Sequence, residues 1–175
     1  MHSVVSFVAQ AGLYVVALLA VCVWVTVPRP EKVAMAVEVL VGLVAVAVLV
    51  KLAGAVHSDP RPFVQDPSVH PWFAHPADNG FPSDHTAVAA MTSFVVLRHR
   101  RAAGAVLLAM TALLGTARVV AQVHHVQDVL AGAALGLVAA VAGILAWRAV
   151  RGSSPARRAV GQGDVTASRP LERRP

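Results

Sequence analysis

The chain has 175 residues, 57% of them hydrophobic and only 14% charged, with a net charge of +6. Soluble domains carry about a quarter charged residues, so this composition excludes an ordinary water-soluble core and makes the bilayer the natural solvent. The basic residues lie in short clusters between apolar runs, as topology signals do, which speaks against a nucleic-acid partner; the single cysteine, Cys22, excludes a disulfide framework within one chain.

Five apolar stretches follow in order, at approximately 4–27, 33–56, 83–97, 102–123 and 126–147. Crossing the hydrocarbon core takes about 20 helical residues, and four of the stretches meet that length. The third is shorter and opens on polar residues, which puts its start at a membrane face. Valine is frequent, yet apolar segments this long satisfy their backbone in lipid only as helices. The first stretch has no basic n-region and exceeds a usual signal-peptide core, so it reads as a retained helix. The expected fold is therefore all-α: an integral membrane bundle over 1–151 with about five transmembrane helices. From 152 to 175 the chain is rich in Arg, Ser, Pro and Gly and has no apolar periodicity. That segment reads as a disordered basic tail.

Basic residues set the orientation. Twelve of the 15 Lys and Arg fall on one side: Arg29, Lys32, Arg98, Arg100, Arg101, Arg148, Arg151 and the tail arginines. The positive-inside rule makes that side cytoplasmic, with the N-terminus outside and the C-terminus inside. The loop 56–82 is then extracytoplasmic, and its length leaves room for a short helix. It carries Asp59, Asp66 and Asp78, the histidines His57, His70 and His75, and the aromatic pair Trp72 and Phe73. A connection this long is often functional. The three histidines match no standard zinc spacing and read as surface-loop residues.

Only Lys51, Arg61 and Arg118 remain on the outer side. Charge near a bilayer is costly and points to function. Each of the three lies at a helix end beside His or Asp: Ser83, Asp84 and His85 open the third helix, and His124 and Asp128 the fifth. Two guanidiniums hold phosphate oxygens bidentately. Ser83 and the free N–H groups of a helix start add donors for an anion. His124 and Asp128, four apart, share a helix face, so the carboxylate can hold one imidazole nitrogen and leave the other free to attack. His85 can protonate a leaving oxygen. The set calls for no metal or cofactor. The bland alternatives are a structural His–Asp pair and headgroup-anchoring arginines. Glu38, near the other face, reads as an interfacial or paired carboxylate, and Gly132 with Gly136 as a close-packing step.

Arg118-x5-His124-x3-Asp128, Pro82-Ser83-Asp84-His85 and Arg61-Pro62 resemble, in order, the third, second and first motifs of the type 2 phosphatidic-acid phosphatase superfamily. That group also includes bacterial acid phosphatases and vanadium haloperoxidases. Phe-Pro-Ser-Asp-His after Pro-Arg-Pro-Phe looks most like its undecaprenyl-diphosphate phosphatase branch. The resemblance implies a metal-independent lipid phosphatase or diphosphatase whose substrate is a polyprenyl diphosphate, with phosphatidic acid or phosphatidylglycerol phosphate as alternatives. A non-enzymatic lipid-phosphate binder or transporter is the reading from another class. By position, His124 would be the nucleophile, Asp128 its orienting carboxylate and His85 the acid and then base. Arg61, Arg118 and Ser83 would bind the phosphoryl group. The sequence departs from the pattern in several places. The first-motif lysine would fall at Gly54, leaving Lys51, one turn earlier, or His57 as stand-ins. Ala117 replaces a serine and Asp84 a glycine. Integral members typically have six helices.

Overall fold

The computed structural model describes residues 2–153, so the expected basic tail lies, beyond 153, outside the described residues. The elements are α1 (His2–Thr26), α2 (Arg29–Val56), α3 (Pro62–Gln65), α4 (Asp84–His99), α5 (Arg101–Val120) and α6 (Val126–Gly152). Five of them match the five apolar stretches, and α3 is a single turn inside the long loop between α2 and α4. Four, α1, α2, α5 and α6, are long and apolar enough to span a membrane. The chain is a multi-pass membrane protein, and apolar side chains such as Tyr14, Leu40, Leu113 and Leu130 stay exposed on its outside, as a lipid-facing surface requires.

The 16-residue α4 is the centre of the bundle, touching α1, α2, α5 and α6. Ala87, Ala89, Met91, Val95 and Val96 are fully buried there. Its small residues let neighbouring backbones come close. On α6 the matching surface is glycine: a Cβ on Gly132 would sit 2.5 Å from the Ser83 carbonyl oxygen, and one on Gly136 would collide with the Ala87 carbonyl. The small-residue step at Gly132 and Gly136 thus serves packing inside the bundle. It also sets α6 directly against the start of α4, where Ser83 donates its backbone N–H to the Asp128 carbonyl at 3.0 Å.

Arg100 both ends α4 and begins α5, with φ −142°. This one-residue corner is possible because Gly104 has no Cβ to strike the Leu97 backbone. At the same end of the bundle Glu38 is fully buried and pairs with Arg98 and with His99, the latter at 2.8 Å. A buried carboxylate needs such partners, and here they bind α2 to the end of α4.

The long loop between α2 and α4 is folded down on the helix ends. Trp72 and Phe73 pack with Ala9, Ala117, Ala121 and Val123, and the Trp72 N–H donates to the Ala121 carbonyl at 3.1 Å. Asn79 fixes the return to α4. Its oxygen accepts the N–H groups of Asp59 and Phe81, and its amide donates to the carbonyls of Gly54 and His57.

Candidate active site

The end of α2, the start of α4, the end of α5 and the start of α6 meet beneath this loop. The α5–α6 turn is short, and Gln122 takes φ 62° within it, a left-handed conformation that non-glycine residues seldom adopt. The turn directs His124 inward, where it is 1% exposed.

His124 lies between opposite charges. Its Nδ1 is 3.3 Å from Asp128 Oδ2, and that same oxygen accepts the His125 backbone N–H at 2.8 Å. Asp128 sits in the first turn of α6, where the helix dipole favours a carboxylate. An acceptor at Nδ1 puts the imidazole proton there and leaves the Nε2 lone pair free. That Nε2 faces Arg61 Nη1 at 3.3 Å and Arg118 Nη2 at 3.2 Å. Burial, followed by the two arginine charges, holds the His124 pKa below its ordinary value against the opposing pull of Asp128. The imidazole is therefore neutral, the state a nucleophile needs.

The guanidiniums are fixed by different elements. Arg61 caps α3; its Nη1 donates to the Val123 carbonyl at 2.7 Å, and its Nε and Nη2 reach Asp78 Oδ1 at 2.8 Å. Burial pushes Asp78 up, but the Arg61 hydrogen bond and charge outweigh it and leave that carboxyl below its usual range. Arg118 donates from Nη1 to the Ala9 carbonyl of α1 at 2.9 Å and lies 3.0 Å from His75 Nε2 through Nη2. Its Nε is buried with no partner among the described residues. Ser83 is fully buried at the start of α4, with its hydroxyl 3.1 Å from that of Thr86. His85, on the first turn of α4, is half-buried within electrostatic range of Arg118 and His124. The geometry thus gathers His85, Arg61, Arg118, Ser83, His124 and Asp128. Lys51 is not gathered: it is exposed on α2 and makes no hydrogen bond or ion pair among the described residues.

Sequence reasoning missed three features. His75, read as a surface-loop histidine, is half-buried against Arg118, with its ring 6.3 Å from that of His124. Its position ten residues before His85, between prolines in a long loop, was the available signal. Asp78, three residues further on, is the Arg61 partner. The third feature lies behind the His124–Asp128 pair. Asp59, His125 and Asp128 offer ligand atoms within 4.8 Å of one another. Asp59 there accepts from Gln65 and Gln127, and its Oδ2 lies 3.0 Å from His125 Nδ1.

Residues 35–152 match the model of the PAP2 superfamily. The bacitracin transport permease protein BcrC of Bacillus licheniformis is 32% identical over 141 residues, covering 81% of this chain and 69% of that protein. The undecaprenyl-diphosphatase BcrC of Bacillus subtilis (strain 168) is 31% identical over 151 residues, covering 85% and 74%. Among solved structures, LpxE of Aquifex aeolicus is similar with a TM-score of 0.65 at 23% identity, over 82% of this chain and 84% of that one. At that identity the likeness concerns the fold.

Proposed function

Because the chain belongs to the PAP2 superfamily, with an undecaprenyl-diphosphatase among its curated relatives, we propose that this membrane phosphatase hydrolyses a polyprenyl diphosphate to the monophosphate. One observation carries the reading: His124 is held at Nδ1 by Asp128 while its Nε2 faces two guanidiniums. A site that only bound headgroups would need the arginines but not a carboxylate-oriented imidazole aimed between them.

In the proposed reaction the terminal phosphoryl group lies between Arg61 and Arg118, with Ser83 and the start of α4 as further donors. The Nε2 of His124 attacks phosphorus in line, forming the P–N bond of a phosphohistidine. The P–O bond to the prenyl phosphate breaks, and His85 protonates the leaving oxygen. His85 then takes a proton from water, whose oxygen attacks phosphorus, releasing inorganic phosphate and restoring His124. Asp128 stabilises the positive charge that the imidazole gains. The chemistry uses no metal ion. Lys51 stands outside this set. The basic-residue asymmetry supports a site at the extracytoplasmic face, with the N-terminus on that side and the C-terminus in the cytoplasm.

The same geometry serves phosphatidic acid or phosphatidylglycerol phosphate, because it recognises a phosphoryl group. Phosphate release in detergent from C55 and C50 isoprenyl diphosphates, phosphatidic acid and phosphatidylglycerol phosphate separates these. The expected result is turnover of the diphosphates, lost in His124→Ala. Activity on phosphatidic acid alone would overturn the substrate; a fully active His124→Ala would overturn the nucleophile. One relative's name, a transport permease, favours a second reading, in which the pocket holds lipid phosphates without hydrolysis. That reading requires a wild type that binds them and releases no phosphate.

A further inference from the structure

Resting on the diphosphatase reading, we propose that His75 is a substrate-contacting residue that binds the leaving-side phosphate and so selects diphosphates over monophosphates. Arg118 Nη2 bridges the two imidazoles: 3.2 Å to His124 Nε2 and 3.0 Å to His75 Nε2. A phosphoryl group bound at His124 draws the Arg118 donors onto its own oxygens and takes the place of that bridging nitrogen. His75 Nε2 is then left facing the phosphoryl group, within electrostatic range of His85, the proposed acid on the leaving side. An in-line displacement sends the departing oxygen away from His124, toward the groups on that far side.

A monophosphate ester has only a neutral alkyl carbon beyond this oxygen. A diphosphate has a second, charged phosphate there, and it needs donors that Arg61 and Arg118, committed to the transferred group, do not supply. His75 can supply one. Its position is built in: Trp72 and Phe73 pack the preceding residues against α1 and α5, and Asp78, three residues on, holds Arg61. Its Nδ1 lies 3.4 Å from the Pro76 carbonyl, so the ring carries its proton on Nδ1 while Nε2 accepts from Arg118. Burial and the Arg61 charge hold the His75 pKa below its ordinary value; the negative charge of a second phosphate opposes them, so that Nε2 takes a proton from solvent and becomes a charged donor to that phosphate, and the carbonyl keeps the Nδ1–H.

If His75 merely steadied Arg118, its loss would weaken every substrate alike, because Arg118 contacts the phosphoryl group common to all. The two roles therefore separate in a ratio. The experiment measures kcat/KM for a C55 diphosphate and for phosphatidic acid in wild type, His75→Ala and His75→Gln, with detergent thermal stability as the folding control. Losing a charge-assisted hydrogen bond predicts a drop on the diphosphate about 10-fold or more greater than on phosphatidic acid. His75→Gln, which can still accept from Arg118 and donate to phosphate, recovers part of the difference. Equal losses on both substrates, or no loss on the diphosphate, would overturn the assignment while leaving the diphosphatase reading intact. A wild type inactive on all diphosphates would overturn both.

Discussion

Replacing Asp128 by Asn tests the histidine–carboxylate pair with the least change of shape. A single carboxylate oxygen, Oδ2, serves both His124 Nδ1 and the His125 backbone N–H. The backbone donor, at 2.8 Å, cannot face an amide NH2, so the Asn oxygen must take the Oδ2 position. The NH2 then takes the place of Oδ1, a buried atom with no partner among the described residues. The His124 tautomer survives and Nε2 stays free; what is lost is the negative charge behind the imidazole. A hydrogen bond to a charged group contributes about 1.5–3 kcal/mol against about 1 for a neutral one. The difference, about 0.5–2 kcal/mol, corresponds at 1.36 kcal/mol per decade to roughly 2- to 30-fold in kcat. Asp128→Ala removes the acceptor altogether, strands two buried donors and falls further. Single-turnover phosphate release with KM measured alongside is the assay. An Asn variant with unchanged kcat, or one as inactive as His124→Ala, would refute the reasoning: the first by showing that the charge does nothing, the second by showing that the tautomer was lost.

Gly132→Ala places a methyl group 2.5 Å from the Ser83 carbonyl oxygen, an overpacking that costs about 1–3 kcal/mol; both detergent melting temperature and kcat should fall, because α6 carries Asp128 past that contact. The acid limb of kcat/KM should lie below pH ~6.5, the ordinary histidine value, since burial and then the neighbouring charges lower His124 and keep it neutral as pH falls; Arg61→Ala removes one of those charges and should move the limb upward, and an acid limb near pH ~7.5 in the wild type would contradict the sign. Lys51→Ala should cost at least about 10-fold less in kcat/KM than Arg61→Ala, the difference between an exposed side chain and a buried charged donor.

The helices were legible because hydrocarbon imposes one rule: a long apolar run must close its own hydrogen bonds. That rule fixed α1, α2, α5 and α6. For α4 the polar opening at Ser83 to His85 marked a boundary that length alone would not have given. The dyad was legible because both members sit at the start of one helix, where spacing implies direction. His75 was not legible for the opposite reason. A loop has no period, and the direction of His75 is set by Trp72 and Phe73 packing on α1 and α5, a tertiary event without local signature. The Ala9 carbonyl under Arg118 is harder still, since a backbone acceptor leaves no trace in residue type. Lys51 shows the limit from the other side: its charge made it a candidate, but the end of α2 holds it on the exposed face.

The two ends of the bundle differ in what their arginines meet, a brace at one and the proposed site at the other. Near the α4–α5 corner, Arg98 and His99 meet the fully buried Glu38, and Arg100 meets Glu31 at 2.8 Å. Arg98 and Arg100 there each have a carboxylate, and the charge is spent on joining helices. Beneath the long loop, Arg61 and Arg118 donate to the Val123 and Ala9 carbonyls and to imidazole nitrogens, all neutral acceptors. Their one direct carboxylate among the described residues, Asp78, is 62% exposed and therefore screened by water. Asp128, the nearby buried carboxylate, is turned away onto His124 and the His125 N–H. Two buried guanidiniums with neutral acceptors keep most of their positive potential, and that potential converges on His124 Nε2. An anion with several oxygens meets this requirement better than any group the fold supplies. The arrangement of the acceptors, more than the number of arginines, supports the proposed phosphate site beneath the loop.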